Sequence, residues 1–115
     1  WTLGSALRCH PALPKGANVN FYEITGEDQV FERTFERGVE DFTLACGTGT
    51  GSVVAALAMK GLVDGKHTKV HVPGGQLIIS LERAANGQIE KIFLTGPTNI
   101  VAEGIVLDED CRALI

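Results

Sequence analysis

The 115-residue sequence lacks any stripe of Lys and Arg interleaved with aromatics: its ten basic residues are scattered, aromatics make up 6%, and the formal net charge is −4. That mild acidity gives nucleic-acid binding little support and points to metabolites or protein partners. No apolar run reaches the roughly 18–20 residues that cross a bilayer, and no basic segment followed by an apolar stretch opens the chain. A soluble, cytoplasmic protein is expected. Cysteine is scarce: Cys9, Cys46 and Cys111 are odd in number and widely spaced, which fits neither a disulfide framework nor a CxxC zinc site, so reduced thiols are expected. His10, His67 and His71 are not spaced as ligands on one element, and no metal is expected. An initiator methionine is also missing. The chain begins at Trp1, which reads as a processed or truncated piece of something longer.

What is present suffices for one domain over residues 1–115, with 44% hydrophobic residues and a mean hydropathy just above zero. The opening eight residues suit a short helix, which Pro11 and Pro14 keep from running on. "NVNFYEIT" (18–25) and "QVFERTFER" (29–37) are rich in β-branched and aromatic residues and flank the turn "GED", a hairpin pattern. "SVVAALAMKGL" (52–62) is apolar almost all round, the mark of a helix enclosed on every side, with Gly61 and Gly65 ending it. Four further strands follow, "TKVHV", "QLIISLE", "QIEKIFLT" and "NIVAEGIVL" (99–107), separated by "PGG", "AANG" and "GP" turns. They read as an antiparallel meander. The fold class is therefore α+β: an antiparallel, barrel-like sheet of about six strands wrapped round one central buried helix. "DEDCRALI" closes the chain as a loose tail.

"FERGVEDFTLACGTGTGSVV" (35–54) raises the chemical question. Cys46 precedes a glycine run and a helix, where unpaired N–H groups and the positive end of the helix dipole favour a thiolate. The glycines let that backbone approach an anion, so a carboxylate and a thiolate would be neighbours. A small buried hydrophobe beside a tight turn is the other reading of Cys46. A phosphate loop fits poorly, since "GTGTGS" is neither GxGxxG nor a Walker sequence.

"RTFERGVEDFTLACGTGTGSVVAAL" resembles the signature around the second catalytic cysteine of the diaminopimelate epimerase family, where an E-R-G stretch runs up to A-C-G-[ST]-G and a buried helix. "HPALPKGANVNF", "VPGGQLIISL" and "LTGPTNIVAEGIV" resemble the family's flanking segments in the same order. The resemblance covers nearly the whole chain, but only the C-terminal half of the family's two-halved protein. Phe42 stands where the family commonly has an acidic residue, and Leu13 where it has Phe.

The resemblance implies a cofactor-independent isomerase of lysine and cell-wall precursor biosynthesis, which interconverts LL- and meso-diaminopimelate with two cysteines on opposite faces of the α-carbon. It implies that Cys46 is one of that pair, that Gly47 and Thr48 offer main-chain N–H groups to the α-carboxylate, and that Asn18, Glu36 and Arg37 hold the substrate's amino and carboxylate groups. Adjacent strand residues face opposite ways, so Glu36 and Arg37 reach one ligand only if the strand breaks there, for which Gly38 is placed. Cys9 and Cys111 are expected to be bystanders, and Lys60 to snorkel outward from the helix end. The first catalytic cysteine of the family has no counterpart here. The expected partner is thus the missing N-terminal half or a second copy of the chain, with the strand near 97–107 packing against that half. A stand-alone binding or assembly module that kept the half-site is the alternative.

Overall fold

In a computed structural model, which describes residues 1–107, the chain folds as α1 (Thr2–Arg8), β1 (Val19–Gly26), β2 (Gln29–Glu36), β3 (Asp41–Phe42), α2 (Gly47–Met59), β4 (Thr68–Val72), β5 (Gly75–Arg83) and β6 (Ile89–Thr95). The strands form one sheet in the order β1-β2-β4-β5-β6, with the short β3 also paired to β2. All pairings are antiparallel except β2 with β4, which α2 connects in parallel. None of the described helices is long and apolar enough to cross a membrane.

Alternation on β2 explains the two sides of this sheet. Val30, Glu32 and Thr34 are buried towards α2, while Phe31 and Arg33 are exposed on the other side. The apolar core lies between sheet and helix and joins Val30, Val70, Val72 and Ile79 to Val53, Val54, Leu57 and Ala58. On the opposite face, Phe35 is fully buried under α1, with Trp1 and Phe42 packed edge-on at centroid distances of 5.7 and 5.6 Å. Phe42 thus spends its side chain on packing, with Phe21 at 6.0 Å and the Arg33 guanidinium 4.3 Å from its ring.

The observed architecture corrects four expectations. The sheet is open: β1 and β6 both reach α2 but do not pair with each other, so it curls about the helix without closing. Because the sheet covers only part of its circumference, α2 is not enclosed on every side. Thr48, Ser52, Ala56 and Lys60, four residues apart, form an exposed stripe. The helix also begins earlier than residue 52, at Gly47, with the glycine run inside it. A Cβ at Gly47 would meet Leu94 of β6 at 2.8 Å, one at Gly51 would meet Ile92 at 3.3 Å, and one at Gly49 would run into Asn20 and Thr34. Those glycines bring the helix backbone against strands on both sides, a close approach that any larger residue prevents.

Finally, residues 99–107 form no strand, so the meander has three strands and ends at β6. Ile100, Val101, Ile105 and Val106 are 84–91% exposed. Their β-branched composition favours extended backbone, but a strand needs a neighbour to bond to, and among the described residues no strand pairs with this segment. The tail "DEDCRALI", with Cys111, lies outside the described residues.

Candidate active site

Cys46 is the N-cap of α2, in extended conformation (φ −141°, ψ 106°), with a partly exposed side chain. The loop before it is held down by Leu44, whose carbonyl accepts the Gly74 N–H at 2.7 Å from the β4–β5 turn. The Cys46 carbonyl accepts the Thr50 N–H at 2.9 Å, which closes the first turn of the helix. Its Sγ lies 3.5 Å from the Thr48 hydroxyl and 3.8 Å from Asn18 Nδ2. Asn18 faces both ways: its Oδ1 accepts the Arg37 main-chain N–H at 2.8 Å. Strand β2 ends at Glu36, and Gly38 at φ +90° turns the chain there, so the break that the Glu36–Arg37 pair requires is present.

Four of the six expected site residues are thereby linked by contacts, Asn18, Cys46 and Thr48 through side chains and Arg37 through its backbone, while Gly47 lies between Cys46 and Thr48 in the chain. The Arg37 guanidinium is turned to the Lys15 carbonyl at 3.0 Å. Glu36 is partly buried at the strand end, where its carbonyl accepts the Val39 and Glu40 N–H groups, and no hydrogen bond joins its carboxylate to the others among the described residues. Gly47 and Thr48 also open onto a cavity of about 490 Å³, walled on its far side by Ile79, Ile92 and Leu94. Of the remaining candidates, Cys9 is exposed, Lys60 caps α2 and is exposed, and His67 pairs with Ser80. No three His, Cys, Asp or Glu side chains converge among the described residues.

Two arrangements escaped the sequence reading. The first clamps the turn after Glu36. Arg8 donates to Glu40 Oε1 through Nε at 3.0 Å and Nη2 at 2.7 Å, and the Gly38 N–H donates to the same oxygen at 3.1 Å. These partners are 32 residues apart, and nothing local in the sequence signals the pairing. The Gly38 N–H above all holds the Glu40 carboxyl below the usual carboxylate range, against the opposing effect of desolvation and with further help from Arg8. Because the folded-state value is depressed, the clamp's stabilisation is present above the unfolded value of about 4.3 and is lost as pH falls through the folded one. Glu40→Gln is therefore expected to lower the melting temperature at about pH 7, and to lower it by less at about pH 3, closer to where the folded-state carboxyl takes up its proton. Thermal melts of the two proteins at both pH values check this. The second arrangement, a buried polar cluster under the start of α2, had a signal in the alternation of "QVFERTFE", which puts Glu32 and Thr34 on the same face as Val30.

A sheet curled over one helix is a fold shared with a Bacillus anthracis phenazine biosynthesis protein of the PhzF family. Its crystal structure matches with a TM-score of 0.55 at 20% identity over 76% of this chain and 26% of that one. That likeness bears on the fold alone. The chain belongs to the diaminopimelate epimerase family, whose family model matches residues 2–101. It is 40% identical to the diaminopimelate epimerase of Aquifex aeolicus over 93% of its own length and 38% of that protein. It is 42% identical to that of Methanothrix thermoacetophila over 94% and 36%, and 41% identical to that of Chlorobaculum tepidum over 91% and 40%. The chain thus spans less than half the length of the curated relatives it matches.

Proposed function

We propose that this chain supplies one face of an epimerase site acting at the α-carbon of diaminopimelate, with Cys46 as its proton-transferring group and the opposite face furnished from outside the chain. The observation that carries the reading is the Cys46 thiol at the N-cap of α2, touching both Asn18 and Thr48; the relatives' function supports the choice of substrate.

The chemistry follows from the weak acidity of an amino-acid α-proton, which demands a positioned base and stabilisation of the carbanion that forms. The Cys46 thiolate takes the proton and becomes S–H. The electron pair left on carbon delocalises into the α-carboxylate, whose oxygens rest on the N–H groups of Gly47 and Thr48. Glu36 suits the ammonium group and Arg37 a carboxylate, by charge complementarity. Return of a proton to the same face restores the starting configuration, whereas delivery to the other face inverts it. Inversion therefore needs a second acid. The exposed apolar segment 97–107 would find its neighbour in the chain that supplies this second acid.

The test is NMR of diaminopimelate in heavy water with this chain, alongside protection of Cys46 from iodoacetamide by the same compound. Deuterium entering the α-position with retention of configuration, together with protection, is the expected outcome. Inversion as well would place a second thiol opposite the first, as in a dimer. Absence of both exchange and protection overturns the reading.

A further inference from the structure

Directly beneath the candidate site lies a carboxyl group that the proposed chemistry does not use. Glu32 is fully buried (0% exposed), as is Thr50, and Thr34 is 3% exposed. Thr50 donates to Glu32 Oε2 at 2.6 Å, and Thr34 donates to Glu32 Oε1 at 2.6 Å. The Thr34 hydroxyl also lies 2.7 Å from the side-chain amide of Asn20. A threonine hydroxyl has one proton, which Thr34 shares between Glu32 Oε1 and Asn20 Oδ1. The cluster ties β1 and β2 to the first turn of α2.

Burying a carboxyl is unfavourable unless its oxygens are bonded, and an apolar residue would pack this layer at less cost. Among the described residues no cation approaches Glu32; two hydroxyls are its hydrogen-bond partners. What the arrangement achieves is geometric. Thr50 is held at both ends, its hydroxyl by Glu32 and its N–H by the Cys46 carbonyl at 2.9 Å. Gly49, the residue before it, is pressed against Asn20 and Thr34. The first turn of α2 therefore cannot shift without breaking bonds to the buried carboxyl, and that turn carries Cys46, Gly47 and Thr48.

We propose that Glu32 is a positioning residue, a buried anchor that fixes the first turn of α2 and so aims its N–H groups and the Cys46 thiol at a common point. The inference rests on the reading of Cys46 as the proton-transferring group, but its test needs no catalysis. The reagent is iodoacetamide, and the readout is the rate of Cys46 alkylation at about pH 7 divided by that at about pH 9.5, followed by mass spectrometry with the exposed Cys9 as internal reference. Dividing the two rates cancels any change in access and leaves the thiolate stabilisation that an ordered helix start provides.

Glu32→Leu and Thr50→Val are expected to lower that ratio about three- to tenfold, because the loosened turn no longer keeps the positive end of the helix dipole aligned on the sulfur. Glu32→Gln keeps a bond to each threonine and is expected to stay within about twofold of the parent, with Cys9 unchanged throughout. Thr50→Val, nearly isosteric, decides the matter if Glu32→Leu fails to fold by circular dichroism. An unchanged ratio in the folded Leu or Val variant overturns the proposal, as does an equal shift in the Gln and Leu variants, which would mark an effect of charge in place of position. Absence of α-proton exchange in the unsubstituted protein, with the ratios changed as expected, would count against the reading of Cys46 as the proton-transferring group only.

Discussion

Cys46→Ala is expected to lower α-proton exchange on diaminopimelate by about 10²–10⁴-fold, the usual contribution of a positioned acid or base. The change should leave the fold in place. Cys46 is partly exposed and its side chain makes no capping hydrogen bond to α2, so little packing or capping energy is at stake. Its neighbours also remain: Asn18 keeps its bond to the Arg37 main chain, and Thr50 still bonds the carbonyl of residue 46. Binding of the substrate should thus survive better than exchange, a loss concentrated in the chemical step. Exchange rates by NMR beside a binding titration make the comparison. Exchange that persists in the variant would mean that another group moves the proton.

Gly49→Ala is expected to destabilise the protein by about 1–3 kcal/mol, the usual cost of forcing an extra methyl into a packed interior. In an exposed helix the same change gains about 1 kcal/mol, because alanine is the better helix former. Packing reverses the sign here. A Cβ at position 49 would sit 2.9 Å from the Thr34 hydroxyl and closer still to the Asn20 amide, and Thr34 is pinned by its bond to the buried Glu32. Neither obstacle is the free end of a mobile side chain, so the helix must move outward and strain the Thr50–Glu32 bond. Gly47→Ala provides the contrast: its Cβ meets the tip of Leu94, a half-exposed side chain that can turn away. Urea unfolding of the two variants should separate them. A stabilised Gly49→Ala would show slack between α2 and β1–β2, and would count against the anchoring role of Glu32 as well.

Much of this molecule is legible in the sequence because its signals are local. Prolines at 11 and 14 bound α1, the "GED" turn joins two strands of matched pattern, and Gly38 marks where β2 must break. The cysteine ahead of a glycine run and an apolar helix identifies a thiol at a helix N-terminus, and the order of the surrounding motifs carries the family resemblance. Conformational preference over a few residues suffices for each of these.

Tertiary structure decided the rest, where the outcome depends on which segments meet. β-branched residues at 99–107 favour extension, but only a neighbouring strand makes a strand, and this segment has none among the described residues. Composition made α2 apolar all round, yet the open sheet covers part of it and leaves the Thr48–Ser52–Ala56 stripe to solvent. The glycine run looked like a loop shaped for an anion; it became helix because β1, β2 and β6 press on it from both sides. Glu32 shows the limit most plainly. Its place on the inward face follows from a period of two, but that its carboxyl meets Thr50 from a helix 18 residues further on depends on how β2 and α2 pack, a contact that no local preference encodes.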